Sequence, residues 1–158
     1  MSNSEDLLRM RREYDYRKNK PEYDRLYSPF YSPYLYSVFN RQQDLIAMLR
    51  KQGVNSLGGK RILEIGCGRG GALVEYLTLG ADPENLSGID ILPDRLTDAR
   101  HKLPLSGISC ADGQDLPFPA KTFDLVLQYT AFSSVLDDQI KKRMASDMLR
   151  VLKPDGLI

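Results

Sequence analysis

Short apolar runs alternate with longer amphipathic segments from residue 60 to the end of this chain. The runs are rich in leucine, isoleucine, valine and phenylalanine, which is typical of buried strands. We predict strands at residues 61–65, 86–90, 107–110 and 123–128, helices at 70–79, 94–102 and 138–152, and a possible further strand from Leu157. This alternation predicts an α/β fold with a doubly wound parallel sheet and helices on both faces.

The first part of the chain follows a different pattern. A charged helix is predicted to end near Lys20, and an amphipathic helix is predicted from a cap at Ser37 to a stop at Gly53. The apolar face of the second helix holds Val38, Leu45, Ile46 and Leu49. We therefore divide the chain into a helical, tyrosine-rich segment, residues 1–55, and an α/β domain, residues 56–158.

The turn after the first predicted strand is the most informative feature of the sequence. The run Arg61-Ile-Leu-Glu-Ile-Gly-Cys-Gly-Arg-Gly-Gly passes from apolar residues into four glycines and then into a helix. A strand that turns through glycines into a helix presents backbone N–H groups to a ligand. Open α/β sheets hold nucleotide-like cofactors in this way, so we expect a Rossmann-like sheet with a cofactor site here. A purely structural turn is the alternative.

The spacing of these glycines fits two motifs, which share Gly66 and Gly68. With Gly71 they match the dinucleotide pattern G-x-G-x-x-G, and with Gly70 they match G-x-G-x-G. Glu64 lies two residues before the first glycine. A carboxylate there would repel an anionic pyrophosphate but would attract a cofactor that carries an amine and a sulfonium.

Polar residues also follow the later predicted strands. Asp90 ends the second strand, 24 residues after Gly66, where a carboxylate can accept hydrogen bonds from both ribose hydroxyls. Asp112 follows the third strand and can accept a hydrogen bond from an exocyclic amine. Gln128 and Tyr129 leave the fourth strand, which we expect beside the first strand and over the ligand crevice. A helix cap at Asp90 and a plain turn at Asp112 are the structural alternatives.

Composition narrows the classes of function. The chain has 158 residues, 42% of them apolar, and a net charge of +1. This charge gives no basic footprint for nucleic acid, and no apolar run reaches the roughly 18 residues of a membrane span. Cys67 and Cys110 lack metal-ligand spacing, so we predict no metal site. Two cysteines without a secretory signal indicate a reducing compartment and a cytoplasmic location.

Five motifs in a fixed order give the sequence a family resemblance. They are Glu64-Ile-Gly-Cys-Gly-Arg-Gly, Gly-Ile-Asp90, Ala-Asp112-Gly with Leu-Pro-Phe, Phe-Asp-Leu-Val, and Leu-Arg-Val-Leu-Lys-Pro-Asp-Gly. Through them, residues 60–158 resemble class I S-adenosylmethionine-dependent methyltransferases of the type that methylates quinones and other small molecules. An NAD(P)-binding oxidoreductase domain would explain the glycines and Asp90 but not Glu64 or Asp112.

The resemblance implies that eleven residues at the carboxyl ends of the predicted strands bind S-adenosylmethionine. These are Glu64, Gly66, Cys67, Gly68, Gly70, Asp90, Ile91, Asp112, Gly113, Gln128 and Tyr129. The first five would hold the methionine end of the cofactor and Asp90 its ribose. Ile91 would pack on the adenine, and Asp112 would meet the adenine amine. Gln128 and Tyr129 would lie near the sulfonium and a small-molecule acceptor.

Two departures from the family pattern leave the reaction open. Many relatives carry one or two histidines shortly after the fourth strand, where they can serve as a base, and this chain has Phe132-Ser133-Ser134 there. The family's sheet normally continues for two more strands, whereas this sequence stops at Ile158, so we expect a sheet that is incomplete on its C-terminal side. A cofactor-binding fragment without catalysis is therefore a further alternative.

Seven of the nine tyrosines fall between residues 14 and 36, around the pairs Ser28-Pro29 and Ser32-Pro33. Ser-Pro pairs disfavour helix and predict an extended, hinge-like chain. The tyrosines could pack against the sheet. Alternatively they form a lid over the cofactor, in which Tyr27 and Tyr31 position the acceptor together with Tyr129. The catalytic residues themselves are not identified by the sequence.

Overall fold

Five parallel strands form one sheet within the described part of the chain. The structure is a computed structural model, and it describes residues 3–18 and 20–158. The strands are β1 (Ile62–Ile65), β2 (Leu86–Asp90), β3 (Gly107–Cys110), β4 (Phe123–Gln128) and β5 (Leu152–Leu157). Their order across the sheet is β3-β2-β1-β4-β5, and every neighbouring pair is parallel. The prediction of an α/β fold with a parallel sheet is confirmed.

Helices precede the sheet and connect its strands. They are α1 (Asn3–Lys18), α2 (Pro21–Leu26), α3 (Ser32–Lys51), α4 (Gly71–Thr78), α5 (Pro93–Lys102), α6 (Ala131–Ser134) and α7 (Asp138–Val151), with a 3₁₀ turn at Pro83–Asn85. The path through α4 and α5 leads from β1 outward to β3, and the path through α7 leads from β4 outward to β5. Because such crossovers are right-handed, these two paths place helices on opposite faces of the sheet. The strand order reverses between β1 and β4.

The central strands are mainly apolar because helices cover both faces of the sheet. All four residues of β1 are buried. The core side chains come from the strands and from the inward faces of the connecting helices. They include Ile62, Leu63, Leu73, Tyr76, Leu86, Ile89, Leu96, Phe123, Val126, Met148 and Val151. The alternation of apolar strands and amphipathic helices in the sequence therefore reflects a sheet that is covered by helices on both faces.

The structure corrects the prediction for the last residues of the chain. The sequence predicts a turn at Lys-Pro-Asp-Gly before a strand that starts at Leu157, but β5 begins at Leu152, directly after α7. The turn survives as an irregularity in the pairing, because Phe123 pairs with Leu152 and Leu125 with Leu157. Pro154 is tolerated because β5 is the outermost strand on its side, where a missing N–H costs no ladder hydrogen bond.

The long loop between β3 and β4 is held by α7. Arg150 donates hydrogen bonds to the carbonyls of Leu116 and Phe118, at 2.9 and 2.8 Å. Asp147 accepts from the backbone N–H of Leu116. The hydrogen bond from Arg150 also lowers the pKa of Asp147. Leu116 is buried and the Phe118 ring meets Phe123 edge-on, so the loop lies against the core rather than in solvent.

Among the described residues, those up to Asn55 form one compact unit and those from Ser56 to Ile158 form another. In the first unit the prediction of an extended chain at the Ser-Pro pairs is wrong for Ser32-Pro33, which begins α3. Ser28-Pro29 lies in the turn between α2 and α3, outside both helices. A helix loses no intrahelical hydrogen bond when proline occupies its first turn. Ser37 is therefore inside α3 and donates to the carbonyl of Tyr34 instead of capping the helix.

The C-terminal end of α3 agrees with the prediction. Gly53 adopts a φ of +77°, and its N–H bonds to the carbonyl of Arg50 at 3.0 Å. The N–H of Val54 bonds to the carbonyl of Leu49 at 2.8 Å, which completes a Schellman motif. Of the predicted apolar face, Leu45 and Leu49 are buried, and Val38 and Ile46 are half-buried.

We predict that Gly88→Ala destabilises the fold by about 1–3 kcal/mol through overpacking. A Cβ on Gly88 would lie 2.6 Å from Cδ1 of Leu73 and 2.9 Å from Sγ of Cys67, both buried. The matched control is Gly71→Ala in the first turn of α4, where a Cβ meets no atom within 4 Å. Urea unfolding of both variants measures the effect. If the urea unfolding midpoint of Gly88→Ala equalled that of the wild type, the close packing around Gly88 would be contradicted.

Candidate active site

The point where the strand order reverses, between β1 and β4, is where open α/β sheets bind ligands, at the carboxyl ends of the strands. Two loops meet there. A Cβ on Gly66, in the loop after β1, would lie 3.1 Å from Cβ of Ala131, which begins α6 after β4. The two loops thus approach each other closely at the carboxyl edge of the sheet.

The loop after β1 distinguishes between the two glycine motifs. Gly66, Gly68 and Gly70 adopt left-handed φ values of +74°, +51° and +75°, whereas Gly71 does not and has open space where a side chain would be. The backbone therefore requires glycine at the positions of G-x-G-x-G. The N–H groups of Gly66 and Cys67 both bond to the carbonyl of Ile89, at 2.8 and 2.9 Å, and this anchors the loop to β2.

Glu64 is buried within β1, with 3% of its surface exposed, opposite Gly88 on β2 and Leu127 on β4. Its negative charge affects its neighbours. Burial, together with the charges of Glu64 and Asp90, raises the pKa of the Cys67 thiol to about 12. Burial and Glu64 also raise the pKa of Tyr76. Cys67 consequently stays a protonated thiol at neutral pH and is not a nucleophile.

Asp90 lies at the end of β2 with 5% of its surface exposed. One carboxylate oxygen accepts from the N–H of Gly68 and the other from the N–H of Leu92, both at 2.9 Å. Nη1 of Arg95 lies 3.7 Å from the first of these oxygens. The N-cap residue of α5 is Leu92, so Asp90 does not cap the helix. Its hydrogen bond with the N–H two residues later forms an Asx turn instead. Each oxygen keeps a further lone pair with which to accept a hydrogen bond.

Asp112 follows β3 and is half-buried. It accepts hydrogen bonds from the backbone N–H of Gln114, at 2.9 Å, and from the Gln114 amide. The oxygen of that amide accepts from Nε of Arg143 on α7, at 2.7 Å. Gly113 is buried, and a Cβ there would lie 3.0 Å from Cε of Met144. The loop that carries Asp112 is therefore fixed by α7.

Gln128 ends β4 opposite Ile65 of β1, and its side-chain oxygen accepts from the N–H of Phe132 at 3.3 Å. Tyr129 is half-buried and interacts with the hydroxyl of Tyr76. Thr130 has a φ of +65°, which is uncommon for a β-branched residue and turns the chain sharply into α6. Gln128 and Tyr129 thus leave β4 beside the glycine loop.

The second unit brings most of the predicted residues to the carboxyl edge of neighbouring strands. Glu64 and the glycine loop belong to β1, Asp90 and the half-buried Ile91 to β2, and Gln128 to β4. Tyr27 and Tyr31 belong to the first unit. There the Tyr27 ring meets Tyr34 edge-on with centroids 6.0 Å apart, and Arg25 lies 5.5 Å from the Tyr31 centroid. Their proposed role in the site stays a prediction.

Three polar residues near these positions were missed by sequence reasoning. They are Arg95, Gln114 and Arg143. Gln114 lies in the same turn as Asp112, so an Asx-turn signal could have indicated it. Arg95 and Arg143 lie on helices whose surfaces carry many charges, and nothing local distinguishes them from solvated residues.

Two classes of feature are absent from the described residues. Residues 3–18 and 20–158 contain no group of three or more histidine, cysteine, aspartate or glutamate side chains that could hold a metal ion. In the same residues, no helix is long and apolar enough to cross a membrane.

Comparison with known proteins agrees with this geometry. Residues 63–158 match the family model described as a methyltransferase domain. The chain is 36% identical over 103 residues to phthiotriol/phenolphthiotriol dimycocerosates methyltransferase of Mycobacterium leprae (strain TN), covering 64% of this chain and 37% of that protein. It is 38% identical over 100 residues to the fatty-acid O-methyltransferase of Mycolicibacterium smegmatis (strain ATCC 700084 / mc(2)155), covering 62% and 35%.

Solved structures show the same fold. The PH0226 protein from Pyrococcus horikoshii OT3 matches with a TM-score of 0.68 at 23% identity, over 90% of this chain and 62% of that one. An S-adenosylmethionine-dependent methyltransferase from Mesorhizobium loti matches with a TM-score of 0.54 at 30% identity, over 68% and 48%.

The length of the match sets the scope of these comparisons. The alignments span little more than a third of the two curated relatives, so they compare one domain rather than whole proteins. Within that domain, the family model covers more than half of this chain. The chain belongs to the class I S-adenosylmethionine-dependent methyltransferases, through the methyltransferase domain that residues 63–158 match.

Proposed function

We propose that the carboxyl edge of the sheet binds S-adenosylmethionine and transfers its methyl group to a small apolar acceptor. The observation that carries this proposal is the buried carboxylate of Glu64 beneath a glycine loop of the form G-x-G-x-G. A buried carboxylate is stabilised by a cationic partner, which the cofactor's amine supplies. The pyrophosphate of a nicotinamide cofactor would instead bring two negative charges toward Glu64.

The remaining cofactor contacts follow from the order of the strands. Asp90 accepts hydrogen bonds from the ribose hydroxyls with the lone pairs left after its two backbone contacts. Ile91, the next residue along, provides an apolar surface for the adenine, and Asp112 accepts from the adenine amine. The backbone of Gln128 and the Tyr129 side chain lie on the opposite side of the glycine loop, near the methyl group.

Methyl transfer depends mainly on alignment, because the bound cofactor already supplies an activated methyl group on sulfur. Holding donor and acceptor in line contributes about 7–11 kcal/mol to catalysis. The rigid contact between the loops at Gly66 and Ala131 serves this purpose. A base is needed only when the acceptor must lose a proton. In α6 the hydroxyls of Ser133 and Ser134 donate to the carbonyl of Thr130.

An acceptor with a carboxyl or acidic hydroxyl group suits such a site. A carboxylate is already deprotonated at neutral pH, so its methylation requires positioning but no proton transfer. One relative is named a fatty-acid O-methyltransferase and another is named for phthiotriol and phenolphthiotriol dimycocerosates. We propose an apolar molecule with an oxygen nucleophile as the acceptor class, and a cytoplasmic setting for the reaction.

The assignments of Glu64 and Asp90 predict different responses to two ligands. Methylthioadenosine keeps the adenosine of S-adenosylhomocysteine but lacks its amino-acid end. Glu64→Gln should weaken the binding of S-adenosylhomocysteine about tenfold to a hundredfold, since a hydrogen bond to a charged group contributes about 1.5–3 kcal/mol. It should leave the affinity for methylthioadenosine unchanged. Asp90→Asn should lower the affinity for both ligands. Isothermal titration calorimetry measures these affinities.

Asparagine is preferred to alanine at position 90 because it can still accept one of the two backbone hydrogen bonds. Urea midpoints of both variants separate lost binding from lost folding. If Glu64→Gln lowered the affinity for both ligands equally, that result would contradict a contact between Glu64 and the amine. Binding of NADH in place of S-adenosylhomocysteine would instead support a nicotinamide-dependent oxidoreductase.

We expect the chain to methylate a long-chain carboxylic acid when S-adenosylmethionine is supplied, because the ionised acceptor needs only alignment. Mass spectrometry of the methyl ester, with Asp90→Asn as the control, measures the transfer. Cofactor binding without transfer to any carboxylic acid or phenol would identify the chain as a cofactor-binding fragment without catalysis.

The tyrosine-rich segment is proposed to close over the cofactor, which would exclude water and complete the acceptor site. We predict that S-adenosylhomocysteine slows tryptic cleavage after Arg17, Lys18 and Arg25. Asp90→Asn at the same ligand concentration is the matched control, since it binds weakly and should gain no protection. Equal cleavage of the wild type with and without ligand would rule out a lid. Resistance in both states would favour tyrosines packed permanently against the sheet.

A further inference from the structure

Arg95 occupies an unexpected position above the glycine loop. It lies in the first turn of α5, and its side chain is 28% exposed. A Cβ on Gly68 would lie 2.9 Å from Cζ of Arg95, 3.3 Å from Nε and closer still to Nη2. Nη1 lies 3.7 Å from Oδ2 of Asp90. The guanidinium therefore covers the bare backbone of Gly68 and faces the Asp90 carboxylate.

The Asp90 carboxylate is the group that the proposed function gives to the ribose, and Gly68 belongs to the loop assigned to the methionine end of the cofactor. A ribose that donates to Asp90 must approach the carboxylate from the crevice, since the N–H groups of Gly68 and Leu92 already hold it from the backbone side. The guanidinium of Arg95 lies in that approach. Two groups cannot fill one volume, so the Arg95 side chain and the ribose exclude each other.

Attraction to the Asp90 carboxylate keeps the guanidinium in this position. Asp90 is almost completely buried, and attraction between opposite charges is stronger there than in water. The side chain can nevertheless leave, because it is long and partly exposed. Asp98, three residues further along α5 and 52% exposed, lies on the same helix face. It already pairs with Arg69 at 3.4 Å, and its exposed carboxylate can accept from a displaced Arg95 as well.

We propose that Arg95 is an internal competitor of the cofactor. It lies against Asp90 at the ribose end of the site and has to swing away before S-adenosylmethionine binds. This inference rests on the proposed function of Asp90 and identifies Arg95 as a residue that sets cofactor affinity. The apparent dissociation constant equals the intrinsic one divided by the fraction of molecules in which Arg95 has moved away from Asp90.

The decisive variant is Arg95→Met, which keeps an unbranched side chain of similar length and removes the charge. We expect it to bind S-adenosylhomocysteine about two- to fivefold more tightly than the wild type, with a faster association rate, because a partly exposed ion pair no longer has to break. Arg95→Lys keeps the charge and should stay close to the wild type. Arg100→Met removes one charge from the same helix without facing Asp90 and should leave affinity unchanged.

The dependence of affinity on salt is a second measurement, and it would not change if Arg95 had a purely structural role. Raising the ionic strength screens the Arg95–Asp90 pair. The difference in affinity between the wild type and Arg95→Met should therefore shrink at high salt, while the difference between the wild type and Arg100→Met stays near zero. Stopped-flow fluorescence and calorimetry at low and high salt measure both quantities.

The outcomes separate this inference from the proposed function. Weaker binding by Arg95→Met would show that the guanidinium holds the cofactor, and equal binding would show that it is a bystander. Either result overturns the inference and leaves the cofactor assignment standing. No binding of S-adenosylhomocysteine by the wild type or by Arg95→Met would overturn the proposed function and the inference together. Binding by Arg95→Met alone would support both.

Discussion

The hydrogen bonds of the Asp90 carboxylate are the interaction on which the geometry of the site depends. A buried charge is stable only when donors surround it, and here the N–H groups of Gly68 and Leu92 do so. The first bond fixes the glycine loop against β2, and the second fixes the entry into α5. One side chain thus determines the shape of the loop and the position from which Arg95 reaches it.

The distribution of carboxylates along the sheet edge explains why an amine-bearing nucleoside fits better than a dinucleotide. Glu64 lies within β1, Asp90 ends β2 and Asp112 follows β3, so a carboxylate is available at each step across these three neighbouring strands. The raised pKa of Cys67 has burial as its larger cause and the charges of Glu64 and Asp90 as the next. The same charges that keep this thiol protonated favour a cationic ligand.

The adenine end of the proposed site depends on residues that are distant in the sequence. Arg143 holds Gln114, and Gln114 holds Asp112, so α7 fixes a side chain about thirty residues before it. Arg150 secures the following part of the same loop through two carbonyls. The helix α7 therefore fixes the loop that carries Asp112, although neither α7 nor the strand β5 that directly follows it contributes a predicted cofactor contact.

Much of this protein follows from local sequence signals. Alternating apolar and amphipathic segments predicted the first four strands and the parallel sheet, because burial on two faces imposes that pattern wherever it occurs. The glycines and Glu64 predict a cofactor site with a negative charge at the end of β1, and that placement stays a prediction. Tertiary structure decided the rest. Only backbone angles showed that Gly70 rather than Gly71 belongs to the motif, and only packing brought Arg95 over Gly68 and Arg143 to Gln114, since such contacts depend on where helices lie in space.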